Sequence, residues 1–558
     1  MQKKLLILLS LSLLPLVLLA QEQVKIRVHA DEPSGGLKPV WAYFGHDEPN
    51  YTYSEDGQNL LRELAGISKF PIHIRTHNLL TTGDAKPALK WGSTNAYTED
   101  AAGNPMYNWT TLDKIFDAYR DNGITPFVEI GFMPEALSTH PEPYRHHWPK
   151  GPLYTGWSYP PKDYGKWEQL IYRWVQHAVH RYGRQEVESW DWEVWNEPNG
   201  GHGYWHGSVE EYCRLYDYTA EAVKRALPSA RVGGPATTGP AGAEAAEFLR
   251  NFLTHCVQGR NYATGKTGSP LDFISFHAKG RTRFLRGYVR MNIGQNLRDI
   301  NDGFAIVASY PKLRDLPVVM SESDPEGCAA CPAATHPENG YRNTPQYASY
   351  EADLLLGSLA LARKYRTHLQ GAVTWAFVFP GQPYFAGFRS LATHSVDKPV
   401  MQVFRMFGLM EGERIKAASS GALSLDSILN SSVRESDDVN VLATRGRNKV
   451  SVLVWNYNDE AISDDTVPID LSIDGLSGSP SKALLQHYRI DNQHSDSYTA
   501  WQGMGAPQNP TAGQGSRLRA AGQLQLLQSP QWVKASADKV EIRFTLPPQG
   551  VSLVQLSW

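Results

Sequence analysis

The sequence predicts an α/β protein, a (β/α)8 or TIM barrel followed by a smaller β-sandwich. From about residue 40 to 410, short apolar runs alternate with segments that have a helical period. After about residue 410 the helical period fades, and polar and apolar residues alternate as in half-buried antiparallel strands. A chain of 558 residues, 41% of them hydrophobic, exceeds one ordinary core and is long enough for a large barrel plus a second domain.

The apolar runs that we interpret as barrel strands number eight. They are PVWAYFG (39–45), FPIHIRTH (70–77), TPFVEIGF (125–132), SWDWEVWN (189–196), ARVGGP (230–235), LDFISFH (271–277), LPVVMSE (316–322) and GAVTWAF (371–377). Parallel strands need helical crossovers, so the alternation favours a closed barrel, with a doubly wound open sheet as the alternative. We prefer the barrel because it gathers strand ends around one pocket, and several runs end near polar or aromatic residues: His77, Asn196, His277, Glu322 and Trp375.

Two of the intervening segments carry clear helical signals. In GKWEQLIYRWVQHAVHRYG (165–183) the apolar residues recur at i, i+3, i+4, i+7 and i+8, which lays one stripe along a helix. Ser208 and Glu211 have the spacing of a capping box ahead of a second helix. We therefore assign residues 41–410 to the barrel.

Residues 411–558 carry the strand-like alternation. It is present in NVLATRGRNKVSVLVWNYND, TVPIDLSIDGLSG and KVEIRFTLPPQGVSLVQLSW, and it predicts a β-sandwich of about 150 residues. QVKIRVHA (23–30), in the short segment 21–40 ahead of the barrel, alternates in the same way. We expect this segment to add a strand to the sandwich and to tie both chain termini together.

The N-terminus is typical of a secretory signal peptide over residues 1–20. Lys3 and Lys4 precede an apolar run from Leu5 to Ala20, which is short for a membrane span. An uncleaved anchor is the alternative, because Leu18 is larger than the residue usual two places before a cleavage site. We expect a periplasmic or secreted protein that is free of the membrane after signal cleavage.

Charge and cysteine content exclude several classes of function. The net charge of −3 offers no basic field to nucleic acid, and four cysteines are too few for a disulfide framework. For Cys328 and Cys331, which form a CAAC, we prefer a local disulfide, with free thiols second. The sequence has no metal-ligand cluster or nucleotide-binding loop, so we expect no metal and no cofactor. It gives no indication of an oligomeric state.

Glu197 and Glu322 stand at the ends of the fourth and seventh predicted strands. Splitting a glycosidic bond needs one carboxyl that protonates the leaving oxygen and a second that attacks the anomeric carbon or activates water. Glu193 competes with Glu197 within DWEVWNEPNGG (191–201), and alternation places both on one side of the strand. Because Glu193 lies inside the run and Glu197 at its end, we assign Glu193 to a buried structural pair and Glu197 to the chemistry.

A family resemblance covers nearly the whole mature chain. It rests on WEVWNEPN, PFVEIGFMPEAL, VGGP, LDFISFHAKG and HYRIDNQHSDSYTAWQGMGAPQNPT, which together resemble glycoside hydrolase family 39, a family of β-xylosidases and α-L-iduronidases. The resemblance implies an oligosaccharide or glycoside substrate and a retaining double displacement. Glu197 matches the acid/base and Glu322 the nucleophile, with Asp324 and Glu326 as nearby alternatives for the nucleophile.

The resemblance also implies roles for residues around the two glutamates. Asn196 matches the ligand of the sugar 2-hydroxyl, and Trp375 matches the platform under the sugar ring. His277 matches a residue that contacts the sugar or steadies the nucleophile, and a hydrogen-bonded core histidine is the alternative. Independently of the resemblance, Arg75 and His77 end the second strand, where we expect them at the pocket floor; a buried ion pair is an equal interpretation of Arg75.

The terminal sugar is the open question. The β-xylosidase pattern has a tyrosine two places after the strand-six histidine, whereas HAKG places Lys279 there, closer to the iduronidase pattern. Arg389 would join Lys279 at a uronic acid, since both cations bind carboxylates directly. Alternatively, Lys279 pairs with Asp324 or Glu326 and carries no information about the substrate.

We expect first an exo-acting β-xylosidase that removes terminal xylosyl residues from plant-type oligosaccharides. A uronic-acid or α-L-arabinofuranosyl substrate is the alternative. A non-catalytic carbohydrate-binding barrel is the rival from another class, but binding alone does not require two apposed carboxylates. A sugar-transferring enzyme would use the same residues.

Overall fold

The computed structural model describes residues 23–90, 92–145, 154–200, 203–375 and 377–558. The predicted signal peptide lies outside these ranges. Within them, no helix combines the length and the hydropathy needed to span a membrane.

In the described chain, eight parallel strands close into the predicted barrel. They are Tyr43–His46, Ile72–Thr76, Ile124–Ile130, Asp191–Val194, Arg231–Thr237, Phe273–Lys279, Pro317–Asp324 and His368–Trp375. Each strand pairs with the next one along the chain, and the eighth pairs with the first, which excludes the open sheet. Apolar side chains that include Tyr43, Phe127, Phe273, Val319, Val373 and Trp375 form a cluster among these strands.

Helices follow the barrel strands and shield them from solvent. Their bounds are Glu55–Gly66, Thr110–Asp121, Tyr164–Tyr182, Arg184–Glu188, Val209–Ala226, Ala243–Gln258, Ile293–Ala308, Pro345–Tyr365 and Pro399–Leu409. The predicted stripe of Tyr164–Tyr182 is buried, and Asp163 caps its first turn. The capping box of Ser208 and Glu211 opens Val209–Ala226 as predicted.

Shorter elements occupy the loops and the C-terminal part. The 3-10 helices are Pro49–Tyr51, Glu135–Leu137 and Pro337–Asn343, and the short α-helices are Leu425–Ser431, Ser497–Gly503 and Ala512–Ala521. The two-stranded hairpins pair Tyr97–Glu99 with Pro105–Tyr107, Tyr144–Arg145 with Tyr154–Gly156, Arg283–Leu285 with Tyr288–Arg290, and Ala392–Thr393 with Val396–Asp397.

The C-terminal strands form one nine-stranded mixed sheet within the described residues. In spatial order the strands are Gln525–Lys534, Lys482–Ile490, Val551–Ser557, Lys449–Tyr457, Asp438–Gly446, Glu413–Ser419, Val24–Gly36, Val467–Asp474 and Val540–Leu546. A single apolar cluster draws side chains from strands across the sheet, which therefore curls around a common core. The N-terminal strand Val24–Gly36 lies inside this sheet, antiparallel to Glu413–Ser419 and parallel to Val467–Asp474.

The sheet also packs against the barrel. Trp455 and Tyr457 belong to the same buried cluster as the barrel helices. Ser349 on the helix Pro345–Tyr365 donates a hydrogen bond of 2.7 Å to Gln549, and Gln346 donates one of 3.1 Å to the Asp459 carbonyl. These contacts join the two parts through a buried polar and aromatic interface.

Cys328 and Cys331 form a disulfide, which confirms the preferred interpretation of the CAAC segment. The other cysteines, Cys213 and Cys256, are buried free thiols. The carbonyls of Cys328 and Cys331 accept hydrogen bonds from the buried guanidinium of Arg342, so the small loop is closed around a cation.

Candidate active site

The fourth barrel strand ends at Val194, two residues before the end of the predicted run. Trp195 and Glu197 then adopt φ angles of 73° and 46°, in the left-handed region that residues with side chains rarely enter. Each such residue costs on the order of 1–3 kcal/mol and persists where the surrounding structure enforces it. The backbone N–H of Glu197 is held by the Ala236 carbonyl at 2.9 Å. Strand alternation therefore stops before Glu197, and its side chain is positioned by this turn.

Glu193 lies within the strand and is fully buried. Arg75 Nε donates a hydrogen bond of 2.5 Å to Glu193 Oε2, and both side chains are inaccessible to solvent. The same guanidinium lies 3.3 Å from Glu129 and 3.1 Å from Glu322. Glu193 thus belongs to the buried pair predicted for it, and Arg75 is both a buried ion-pair partner and part of the pocket floor.

Glu197 and Glu322 face each other across His277. His277 Nδ1 lies 2.9 Å from Glu197 Oε1 and 3.9 Å from Glu322 Oε2. One oxygen from each glutamate and one nitrogen of His277 all lie within 4.8 Å of one another. The register between the sixth and seventh strands pairs His277 with Glu322 directly. The structure therefore brings together the two carboxylates and the histidine that the sequence singles out.

Three cationic or hydrogen-bonding side chains surround the Glu322 carboxylate. Lys279 Nζ lies 2.6 Å from Oε2, while Arg75 and His77 approach Oε1 at 3.1 and 3.4 Å. Burial alone would raise the pKa of Glu322, but Lys279, His277, His77 and Arg75 outweigh it and hold the pKa well below its usual value. Glu322 is thereby kept as an anion, the form that a nucleophile requires.

His77 lies between two carboxylates at the rim of the barrel. Its Nδ1 is 2.8 Å from Asp47, and its Nε2 is 2.8 Å from Glu129. Burial would lower the pKa of His77, but the charges of Glu129 and Asp47 outweigh both burial and the neighbouring Arg75, so the pKa lies well above its usual value. His77 therefore adds a positive charge next to Glu322.

Lys279 bridges Glu322 and Asp324, at 2.6 and 2.7 Å. The pairing with Asp324 is one of the arrangements that the sequence left open. The position of Arg389 does not match the expectation that this residue contacts the sugar. It is fully buried behind Asp324, which it approaches at 3.5 Å, and it lies 3.6 Å from Glu326.

Trp375 and Asn196 lie at the same end of the barrel as the glutamates. The Trp375 ring meets His77 edge to face, with centroids 5.0 Å apart, and the Arg75 guanidinium lies 5.8 Å from its centroid. A side chain on Gly45, its neighbour on the first strand, would clash with this ring. Asn196 Oδ1 accepts a hydrogen bond of 3.1 Å from Arg75, which fixes the orientation of the amide.

A metal ion suits this donor set poorly. Glu197, His277 and Glu322 are close enough to offer one ligand atom each. However, the Glu322 carboxylate already accepts hydrogen bonds from Lys279 and Arg75, and a cation placed there would meet two positive charges at short range. The arrangement is better suited to moving protons and forming a bond at carbon than to ligating a metal.

Sequence reasoning missed two acidic residues of the site. Glu129, in the third strand, lies in register with Glu193 and completes the ring of carboxylates around Arg75. Asp47 follows the first strand and pairs with His77. The signal for Glu129 was available, because a carboxylate inside the apolar run TPFVEIGF needs a buried partner.

Comparison with known proteins identifies a family and several similar glycosidases. A family model described as Glycosyl hydrolases family 39 matches residues 24–534. The chain is 28% identical over 421 residues to a β-xylosidase of Geobacillus stearothermophilus, covering 74% of this chain and 73% of that protein. It is 25% identical over 532 residues to the α-L-iduronidase of Mus musculus, covering 90% of this chain and 76% of that protein. Among solved structures, a monomeric β-xylosidase from Caulobacter crescentus CB15 matches with a TM-score of 0.74, at 23% identity, covering 96% of this chain and 99% of that one.

Proposed function

The chain belongs to glycosyl hydrolases family 39 and is a glycoside hydrolase of O-glycosyl bonds, and from that premise we propose that it is a retaining, exo-acting β-xylosidase. Its substrate is an oligosaccharide or glycoside. Glu197 is the acid/base and Glu322 is the nucleophile. Asn196, His77, His277 and Trp375 bind or position the terminal sugar.

The observation that carries the mechanism is the separation of the two carboxylates. An oxygen of Glu197 lies within 4.8 Å of an oxygen of Glu322. Retaining glycosidases hold their carboxyls about 5–5.5 Å apart, whereas inverting enzymes need about 6.5–9.5 Å to admit a water molecule between them. The short separation supports direct attack by Glu322 on the anomeric carbon.

The reaction proceeds in two displacements. In the first, a Glu322 oxygen bonds to the anomeric carbon while protonated Glu197 gives its proton to the departing glycosidic oxygen. In the second, Glu197 takes a proton from water, the water oxygen bonds to the anomeric carbon, and the ester to Glu322 breaks. The low pKa of Glu322 suits both roles, since a stable carboxylate is a better leaving group in the second step.

The depth of the site supports exo action. Glu197 and Glu322 are 9% and 6% exposed, and Trp375 is 2% exposed. Carboxylates this deep are reached by the end of a saccharide chain more readily than by its middle. A terminal sugar that stacks on Trp375 would place its anomeric carbon between the two glutamates.

The environment of Lys279 favours a neutral sugar. Its ammonium is already paired with Glu322 and Asp324, at 2.6 and 2.7 Å. A uronic acid would bring a further carboxylate against Asp324 and would have to displace it. Arg389, the second expected cation, is buried behind the same aspartate. A xylosyl unit has no carboxylate and needs no such rearrangement.

A uronic acid is the second candidate because Lys279 is 17% exposed and lies beside the nucleophile. If Asp324 turned towards Arg389, the ammonium would be free to bind a sugar carboxylate. An α-L-arabinofuranosyl sugar is the third candidate. Rates on a β-xyloside, a uronide and an α-L-arabinofuranoside distinguish the three candidates.

The anomeric configuration of the first product tests the retaining mechanism. We expect proton NMR of an enzymatic digest of an aryl β-xyloside to show β-xylose before mutarotation produces the α anomer. The spontaneous rate of mutarotation, measured on free xylose in the same buffer, is the control. If α-xylose appears first, the double displacement is wrong.

Lys279→Met tests the choice of sugar and the electrostatic role of the lysine. We expect the wild-type enzyme to cleave the β-xyloside in preference to the uronide and the arabinofuranoside, and the variant to lose roughly 100-fold in kcat/KM on the xyloside. Because Lys279 is the strongest of the charges that lower the pKa of Glu322, its loss raises that pKa. The acidic limb of the pH profile, where Glu322 becomes protonated and inactive, therefore moves to higher pH.

Lys166→Met is the matched control, because this lysine pairs with Glu99 and lies outside the site. It should leave both the rate and the pH profile unchanged. If the wild-type enzyme prefers the uronide and this preference disappears in Lys279→Met, the β-xylosidase proposal is wrong and an iduronidase-like activity takes its place.

The domain limits and the cellular location are parts of the same proposal. Residues 1–20 act as a cleaved signal peptide, so the enzyme works in the periplasm or outside the cell. Residues 41–410 form the catalytic barrel, and residues 21–40 and 411–558 form the accessory domain that packs against it.

A further inference from the structure

Asp299 is a buried carboxyl that the two displacements described above do not use. It lies on the helix Ile293–Ala308 and is 4% exposed. A carboxylate is costly to bury unless hydrogen bonds replace its contacts with water. The groups that donate to Asp299 therefore indicate what this residue does.

The Asp299 carboxylate joins the ends of the fifth and sixth barrel strands. The last pair between these strands is Thr237 with Phe276, and the sixth strand continues beyond it to Lys279. Asp299 Oδ2 accepts a hydrogen bond of 3.1 Å from the backbone N–H of Lys279. Asp299 Oδ1 accepts one of 3.1 Å from the backbone N–H of Ala241, in the loop after the fifth strand. The carboxylate thus links the two strand ends where their ladder of hydrogen bonds has stopped.

Two further residues hold the carboxylate in place. The loop after the fifth strand passes so close that a Cβ on Gly239 would collide with the Asp299 oxygens. Gln295, one turn earlier on the helix, donates a hydrogen bond of 3.4 Å to Asp299 Oδ1. Each oxygen therefore has its own donor, and the carboxylate cannot turn without losing a hydrogen bond.

The same helix also holds the end of the seventh strand. Asn296 is fully buried and lies three residues before Asp299, so the two side chains share one helix face. Asn296 Nδ2 donates a hydrogen bond of 3.2 Å to the backbone carbonyl of Asp324. Asp324 is the register partner of Lys279, and their side chains form the ion pair of 2.7 Å. The helix thus fixes the main chain of both members of this ion pair.

We propose that Asp299 is a positioning residue for the reaction. It fixes the end of the sixth strand so that the Lys279 ammonium lies 2.6 Å from Glu322, the proposed nucleophile. Without Asp299 the Lys279 N–H loses its acceptor, and the strand end shifts towards another one. A displacement of about 1 Å is enough to impair catalysis, because charges act on a transition state only from the correct position. Because Lys279 acts on Glu322, this role rests on the proposed function.

Asp299→Asn tests this role with little change in shape. The amide keeps one acceptor oxygen but turns an NH2 group towards one of the two backbone N–H donors. We expect kcat/KM to fall roughly 10-fold on the glycoside that the wild-type enzyme prefers. Burial raises the pKa of Asp299 to about 7, so the rates are compared well above that pH, where the wild-type carboxylate is charged.

A double-mutant cycle with Lys279→Met separates positioning from a general structural effect. Lys279→Met alone is expected to lose roughly 100-fold in kcat/KM. If Asp299 acts through Lys279, adding Asp299→Asn to this variant should cost less than about twofold more. Independent effects would instead multiply to a loss of roughly 1,000-fold.

Gly239→Ala is a second variant that leaves every charge in place. Its methyl group pushes on the Asp299 carboxylate, so it should also lower kcat/KM in the wild type and have little effect in Lys279→Met. Asp302→Asn is the matched control, because Asp302 lies on the same helix but accepts a hydrogen bond from Asn301. It should leave the rate unchanged in both backgrounds. Equilibrium unfolding in urea shows whether each variant is folded under the assay conditions.

The outcomes distinguish the positioning role from the proposed function. A loss that multiplies in the double variant overturns the role of Asp299 and leaves the β-xylosidase proposal standing. The same holds if Asp299→Asn and Gly239→Ala are both as active as wild type. A wild-type preference for the uronide overturns the β-xylosidase proposal, and the cycle measured on the uronide then decides the role of Asp299. A wild-type enzyme that cleaves none of the three glycosides overturns both proposals.

Discussion

Glu322→Ala is expected to lower kcat on an aryl β-xyloside by about 10⁴-fold or more, because the variant has no group to form the covalent intermediate. Azide added to this variant should restore part of the turnover. The small anion fits the space of the missing carboxylate and attacks the anomeric carbon from the same face. The product should be α-xylosyl azide, with inverted configuration, and is identified by proton NMR.

Glu197→Ala is the matched control, since it removes the other carboxylate of the pair. Here Glu322 still forms the intermediate on a substrate with an activated leaving group, and azide replaces water in the second step. The product should be β-xylosyl azide, with retained configuration. A Glu322→Ala variant with near wild-type activity, or the same azide anomer from both variants, would exclude the assigned roles.

Arg75→Met should destabilise the fold more than any surface substitution. The guanidinium lies 2.5 Å from Glu193, 3.3 Å from Glu129 and 3.1 Å from Glu322, and its side chain has no exposure to solvent. Its removal leaves buried carboxylates without their cation, and breaking a buried ion pair in this way costs about 3–5 kcal/mol. Equilibrium unfolding in urea, followed by tryptophan fluorescence, measures the loss.

Arg181→Met provides the comparison for Arg75→Met. Arg181 pairs with Asp113 and Asp117 but is 37% exposed, so its loss should change the free energy of unfolding by less than about 1 kcal/mol. In the double variant Arg75→Met/Glu193→Gln, one negative charge is removed as well, and part of the lost stability should return. If the Arg75→Met variant is as stable as wild type, the buried carboxylates do not depend on the charge of Arg75 for their stability.

The barrel and its two glutamates were accessible from the sequence because they depend on local patterns. Alternation of apolar runs with helical periods predicts the strands, and the position of Glu197 after a strand predicts that it faces the pocket. The left-handed turn at Trp195 and Glu197 was not predictable, because those residue types do not favour it. The turn exists because tertiary contacts such as the hydrogen bond to Ala236 enforce it.

The charged network could be predicted only in part. The charged residues in HIRTH and WEVWN indicate a buried ion pair. They do not indicate that Glu129 joins this pair, because its position beside Glu193 depends on the register between the third and fourth strands. The same limit applies to Lys279. Its contact with Asp324 follows from the register that aligns these two residues across neighbouring strands. Arg389 lies in a long loop after the eighth strand, and no periodic pattern in the sequence indicates the depth of such a residue.

The N-terminal strand Val24–Gly36 sets an order of events during synthesis. Its neighbours in the sheet, Glu413–Ser419 and Val467–Asp474, leave the ribosome only after the complete barrel. At about 5–20 residues per second, the first strand waits roughly 20 to 90 seconds for the later of these two partners. During that interval its edges are open to pairing with other chains. A nascent chain that stops before residue 413 therefore exposes an unpaired strand at its other end, and one that stops between the two partners leaves one edge of that strand open.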